Sequence, residues 1–351
     1  MHVLVTGSSG LIGSEAVQFF DAKGFNVLGI DNNMRADFFG PKGDTEWNRH
    51  RLERECKHFQ HRSLDIRDRG AVDSLFAHHP VDLVIHAAAQ PSHDLAAKRP
   101  FDDFDVNAVG TFNLLEALRR HREHAAFIHV STNKVYGDGP NRLALREGAF
   151  RFDFADEAYV HGISETFPVD QCLHSLFGAS KLAGDIVAQE YGRYFGLKVG
   201  VFRGGCLTGP QHSGVELHGF LNYLVKVAMN EGPYTIFGYK GKQVRDQIHC
   251  HDVIEAFWQF AQNPRPGEVY NIGGGHANSA SLLECIERVA QRTGKRPKTT
   301  YTEENRVGDH ICYYTDLRKL QAHYPSWRIT RTLDDIIDEM VENFRALRKA
   351  A

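Results

Sequence analysis

Val3-Leu4-Val5-Thr6-Gly7-Ser8-Ser9-Gly10-Leu11-Ile12-Gly13 carries a β-branched apolar run into three glycines and then into a helical pattern. Each glycine answers a physical need, namely a sharp turn, a close approach of backbone to a pyrophosphate, and tight packing of helix on strand. The helix that follows aims unsatisfied N–H groups, those of Leu11 and Ile12 among them, and its positive dipole end at the phosphates. The spacing is G-x-x-G-x-x-G, a variant of the commoner G-x-G-x-x-G. Asp31, with Asn32 beside it, closes the second strand about twenty residues past the glycines, where a carboxylate accepts hydrogen bonds from ribose hydroxyls. A 2′-phosphate there would meet a negative charge, so the reading is NAD rather than NADP, with nearby Arg35 acting in the opposite sense.

Working outward, short apolar runs alternate with helical patterns for about two hundred residues, the mark of βαβ units and a parallel sheet buried on both faces. Strands are expected at His2–Thr6, Asn26–Ile30, Phe59–Leu64, Leu83–His86, Phe127–Ser131 and Val199–Arg203, with helices at Leu11–Ala22, Arg69–Ala77, Phe104–Arg119, Ser180–Tyr194 and Leu333–Arg348. Right-handed crossovers make this an α/β fold, a doubly wound Rossmann sheet with a smaller interleaved α+β lobe. The expected dinucleotide-binding domain is 1–202, completed by about 246–272, and the lobe is 203–245 with 273–351. The aromatic-rich stretch Gly139–Cys172 breaks the rhythm and suits a cover over the active edge of the sheet.

Composition excludes several classes. With 42% hydrophobic residues in 351, the chain has ample material for a core. Lys plus Arg 41 against Asp plus Glu 44 leaves a net charge of −3 and no like-charge block, which argues against nucleic acid as a partner. Six scattered cysteines form no C-x-x-C, so no zinc site or disulfide framework is expected and a reducing cytoplasm is. The chain enters strand-like sequence at once and has no apolar run long enough for a span, so no membrane partner is expected. His249-Cys250-His251-Asp252 resembles a metal cluster, but neighbours on a strand face opposite ways, and no metal is expected.

Together with later segments, these residues resemble the extended short-chain dehydrogenase/reductase family of NAD-dependent nucleotide-sugar epimerases and dehydratases. The similarity covers nearly the whole chain. It implies a dinucleotide lined by Asp65-Ile66, by Ala87, Ala88 and Ala89 after His86, and by Asn107. It implies a nucleoside-diphosphate sugar held by Arg245 and Arg306, with His174 and Cys206 near the sugar, and a homodimer formed through two helices. Arginine suits that role, since its planar fork binds phosphate oxygens in pairs and keeps its charge. Ser131-Thr132-Asn133-Lys134-Val135-Tyr136-Gly137 is the sharpest discriminator: the family's 4,6-dehydratases carry Asp-Glu after the Thr, and here Asn133 and Lys134 cannot eliminate water. The Thr-Asn-Lys form resembles the CDP-paratose 2-epimerases.

The resemblance places Thr132, Asn133, Lys134, Phe177 and Lys181 at the catalytic centre. It also exposes a departure, because the family's base is the tyrosine of Y-x-x-x-K and this chain reads Phe177-Gly178-Ala179-Ser180-Lys181. A phenyl ring has no proton to exchange, while Lys181, four residues on, shares its helix face and suits the nicotinamide ribose. Three readings stay open: an epimerase whose base has moved, with Lys134, His174, Tyr159, Glu165 and Cys206 as candidates; an enzyme whose substrate needs a different base; and a binding module with little catalysis.

Overall fold

The computed structural model describes residues 1–211, 219–305 and 308–350, which divide into two compact units. Met1–Val135, Ser175–Gly204 and Val253–Tyr270 form the first; Tyr136–His174, Gly205–Asp252 and Asn271–Ala351 form the second.

The first unit is built on β1 (His2–Thr6), β2 (Asn26–Ile30), β3 (Phe59–Arg62), β4 (Leu83–His86) and β5 (Ala126–Thr132), followed by strands Val199–Gly204 and Glu268–Ile272. Spatially the last two come first, then β5, β4, β1, β2 and β3, with parallel pairing from Val199–Gly204 through to β3. Leu4, Val84, Phe127 and Val201, all at 1% exposure or less, are the strand side of a core closed by Leu114, Leu115 and Leu118 of the Gly110–His121 helix. The chain winds one way from β1 to β3 and the other way from β4 onward, so the carboxyl ends of β1 and β4 flank a switch point.

The expected Phe104–Arg119 helix is interrupted. A short helix, Pro100–Phe104, runs through one π-turn, Asp105–Val109, into Gly110–His121. The expected Ser180–Tyr194 helix begins five residues earlier, spanning Ser175–Phe195.

The second unit carries a four-stranded sheet in which Val244–His249 pairs antiparallel with Ser279–Ser281 and parallel with both Cys312–Tyr313 and Cys206–Thr208. Its apolar core joins the helices Phe220–Met229, Leu282–Thr293 and Leu333–Ala350. The segment Tyr136–His174, expected with the dinucleotide domain, packs here instead. Tyr136 donates to Asn271 at 2.7 Å, Ile163 bridges Thr315, and the Phe152 N–H reaches the Lys242 carbonyl at 3.1 Å. The alternation expected through His249-Cys250-His251-Asp252 also fails, because the strand ends at His249 and a helix, Cys250–Gln262, starts at the next residue. Among the described residues no group of three His, Cys, Asp or Glu is arranged to hold a metal, and no helix is long and apolar enough to cross a membrane.

Candidate active site

At the switch point, Gly7 adopts φ +67°, and a β-carbon there would lie 2.8 Å from the Ala88 nitrogen, so the turns after β1 and β4 touch backbone to backbone. The Ala88 N–H donates to Thr6 Oγ1 at 3.1 Å and the Ala87 N–H to the Thr6 carbonyl at 3.2 Å. Gly13 is equally constrained, since its β-carbon would stand 2.0 Å from the Gly7 carbonyl oxygen. The helix Leu11–Ala22 starts at Gly10, and its first ladder bond runs from the Ser14 N–H to the Gly10 carbonyl, leaving the Leu11 and Ile12 N–H groups ahead of the ladder.

Asp31 lies at the mouth of this loop. One carboxylate oxygen accepts from the Ser9 N–H at 3.0 Å and the other from the Asn33 N–H at 2.8 Å. Asn32 is exposed and donates to Asp65 at 3.2 Å, which joins the two segments expected around the adenosine. Asp65 is also paired with Arg67 at 2.7 Å, and that bond holds its carboxyl below the ordinary value against the opposing effect of burial. Ile66 is buried in the core. Arg35 lies with its guanidinium over the Phe39 ring at 4.8 Å, and burial pulls it down to about 10.

Asn107 sits in the π-turn, fully buried, and its amide is engaged on every side. It donates to the Gln90 carbonyl, Asp103 and Ser180 at 3.1 to 3.2 Å and accepts from the Gln90 N–H at 3.0 Å. It therefore acts as a stitch between the β4 loop and the Ser175–Phe195 helix. A π-turn at such a junction re-aims one side chain without ending the helix.

Lys181, buried on the Ser175–Phe195 helix, donates from Nζ to the Val130 carbonyl of β5 at 2.8 Å. Burial lowers it from 10.5 to about 8, with Asp185 and Asp103 pulling the other way. One turn further, Asp185 is fully buried and paired with Arg203 at 3.0 Å, and it also accepts from Ser131 and Gln189 at 2.6 Å. Thr132 ends β5 and its Oγ1 accepts from the Lys134 N–H at 3.3 Å; Asn133 is buried. Phe177, 7% exposed, lies one turn before Lys181. The ring of His93 packs edge-on against it at 4.9 Å between centroids, and His93 Nδ1 is 2.9 Å from Ser175 Oγ.

Sequence reasoning missed His93, Asp185 and Arg203. Asp185 had a readable signal, being four residues past Lys181 on the same helix face, whereas His93 had none because its loop has no period. It also passed over His129, which pairs with His86 across β4 and β5. Both are fully buried; His86 sits between Thr6 at 2.7 Å and Thr111 at 2.9 Å and burial holds it at about 3. Burial holds His129 well below its ordinary value too, and neither of its ring nitrogens has a hydrogen-bond partner among the described residues.

In the second unit, Cys206 stands opposite Gln247 while Arg245 lies two residues earlier on the same strand, so Arg245 and Gln247 share a face. Arg245 donates to the Val244 carbonyl at 2.8 Å and approaches Asp309 at 3.7 Å. His174 lies 3.6 Å from the Cys172 sulfur. Arg306 lies outside the described residues.

These residues of the first unit fit a dinucleotide. The loop has no room for β-carbons at Gly7 and Gly13, a helix N-terminus faces its mouth, and a carboxylate closes the strand beside it. Residues 3–273 match the model of the NAD dependent epimerase/dehydratase family. The chain is 34% identical over 327 residues to CDP-paratose 2-epimerase from Salmonella typhi, covering 91% of this chain and 92% of the relative. It is 28% identical over 357 residues to a probable dTDP-glucose 4,6-dehydratase from Sinorhizobium fredii, covering 97% and 92%. Among solved structures, it matches a tyrosine-to-phenylalanine mutant of the UDP-glucuronic acid 4-epimerase of Bacillus cereus, in complex with UDP-4-deoxy-4-fluoro-glucuronic acid and NAD. The TM-score there is 0.79 at 26% identity, covering 99% of this chain and 100% of the other. The chain belongs to the NAD dependent epimerase/dehydratase family, and its cofactor is NAD.

Proposed function

We propose that this chain is an NAD-dependent epimerase of a nucleoside-diphosphate sugar, inverting C2 of a CDP-hexose through a transient keto-sugar. The observation that carries the choice within the family is the pair Asn133-Lys134 at the positions where its dehydratases hold an acid and a base, together with the 34% identity to CDP-paratose 2-epimerase. Neither side chain is suited to eliminating water, and without elimination the family's remaining chemistry is oxidation and return.

Bound NAD supplies the hydride acceptor. The Gly7–Gly13 loop holds the diphosphate, Asp31 accepts from the adenosine ribose hydroxyls, and Ile66 packs at the adenine end. Lys181 holds the nicotinamide ribose. Its Val130 bond fixes the ammonium direction, and burial keeps water from competing for it. Thr132 offers a hydroxyl to the sugar from the end of β5. In the second unit Arg245 binds the sugar diphosphate, Arg306 is assigned the same role, and Cys206 and His174 contact the sugar. Exposed Phe112 and, on the Ser175–Phe195 helix, Ile186, Tyr194 and Phe195 favour a homodimer through these two helices. No disulfide joins the six cysteines, which suits the cytoplasm.

Phe177 favours a second reading, a protein that binds NAD and a nucleotide sugar with little turnover. One experiment separates the two. Purified protein loaded with NAD is incubated with a panel of CDP-hexoses in D2O and followed by NMR. The expected result is a C2 epimer with no solvent deuterium at the inverted carbon, since the hydride stays on the enzyme. Tight binding without an epimer selects the second reading, and mass spectrometry of ligands released on denaturation identifies the resident dinucleotide.

A further inference from the structure

We infer that His93 is the catalytic acid–base of this site, occupying the role that a hydroxyl on the Phe177 ring would otherwise fill; the inference rests on the epimerase reading above. Proton transfer must occur where the sugar hydroxyl meets the cofactor, beside Lys181, and the aromatic side chain one helical turn before Lys181 is a phenylalanine. The group packed against that ring is an imidazole: His93 meets Phe177 edge-on at 4.9 Å between centroids. Four other proton-exchanging groups in this unit have prior engagements. His86 and His129 are fully buried within the sheet, Lys181 donates to the Val130 carbonyl, and Asp103 is enclosed by Gln90 and Asn107.

His93 is also held as an acid–base should be. It opens the short helix His93–Lys98, which packs against the Ser175–Phe195 helix and is capped by Ser92, whose Oγ accepts from the Leu95 N–H. Ser175 begins the longer helix in a left-handed conformation, φ 61°, which brings its Oγ to 2.9 Å from His93 Nδ1 while also accepting from the Gly178 N–H. A hydroxyl can donate to a bare Nδ1 or accept from a protonated one, so Ser175 supports both tautomers. That matters for a residue that must take a proton and then return it. Phe177 packs against the ring and fixes its plane.

The step balances. A ring nitrogen of His93 takes the hydroxyl proton of the sugar while the hydrogen on that carbon leaves with its electron pair to NAD, giving a ketone and an imidazolium. In the return, the imidazolium gives the proton back to the oxygen as hydride re-forms the C–H bond on the opposite face. An unperturbed imidazole titrates near pH 6.5, close to the working range of a base at neutral pH.

The test uses NAD-loaded full-length protein and the CDP-hexose that wild type turns over fastest. His93→Gln is expected to lower turnover roughly 10²- to 10⁴-fold, with NAD and CDP binding by calorimetry unchanged. Adding Phe177→Tyr to His93→Gln is expected to recover at least part of the loss, because it returns a phenol to the position the imidazole serves. The imidazole resonance of His93, assigned through its contact with the Phe177 ring, should move when CDP-hexose binds; this readout stands even if His93→Gln fails to fold. Wild-type turnover in His93→Gln, or an imidazole resonance indifferent to CDP-hexose, overturns the inference and leaves the epimerase reading intact. Absence of turnover in wild type overturns both.

Discussion

Around Gly7–Gly13 the backbone does the shaping. The loop touches Ala88 main chain, Gly7 and Gly13 have no room for β-carbons, and the Gly7 and Ser9 N–H groups meet a carbonyl and a carboxylate. Around Phe177–Lys181 the shaping is done largely by side chains from four separate elements, β5, the strand Val199–Gly204, the helix His93–Lys98 and the helix Ser175–Phe195, held by buried charges and aromatic contact. A site that must bind one fixed cofactor gains from backbone, which cannot change rotamer. A site that must perform chemistry on varied sugars gains from side chains, which one substitution can replace. Replacement of a single ring such as that of Phe177 is the kind of change the second construction tolerates and the first does not.

The contrast is tested hardest at the chemical end. Asp185→Leu strands Arg203 as an uncompensated buried charge and is expected to cost about 3 to 5 kcal/mol, read as a lower denaturation midpoint, with the loss absent if the helix is held by its apolar contacts alone. Lys181→Met should abolish turnover yet stabilise the ligand-free protein at pH 7 by up to about 3 kcal/mol. The sign follows from burial: the folded lysine releases its proton near 8 and the unfolded one near 10.5, so the folded state is penalised below 8. The variant's advantage should shrink as pH rises from 8 to 10.5; a constant or negative difference in melting temperature contradicts it. At the cofactor end, Gly13→Ala drives a β-carbon into the Gly7 carbonyl and should weaken NAD by about 1 to 3 kcal/mol, measured by calorimetry. Wild-type affinity would show that the loop yields.

The smallest expected effect sets the sheet apart from the helices. The unfolded chain protonates His86 and His129 below about pH 6.5, while the folded chain keeps both neutral, so stability should fall as pH drops through that value. His129→Leu removes one of the two and a ring with no hydrogen-bond partner among the described residues, and should gain about 1 to 2 kcal/mol with a shallower acid limb in melting from pH 7 to 5.

What was readable from sequence divides along the same line. β1, β2, β4 and the helix Leu11–Ala22 fall at their expected limits, because a period of two or 3.6 in apolar residues and glycine punctuation are local signals. Asp31 was readable because it ends a strand at a set distance from the loop. The junction at Asn107 was not, since one extra residue in a helical turn leaves the apolar stripe nearly unchanged. Nor was the packing of Tyr136–His174 with the second unit, which depends on single contacts such as Tyr136 to Asn271 and not on periodicity. His93 met Phe177 only through the fold, because a left-handed Ser175 has no signature in sequence.

The carboxylate of Asp31 grips the loop through Ser9 and steadies its own strand exit through Asn33. The side chain proposed to discriminate against a 2′-phosphate is thus also the one that anchors the glycine turn. An attempt to convert this protein to NADP by neutralising that residue would loosen the turn in the same stroke, so any workable redesign must first provide those two amides with new acceptors.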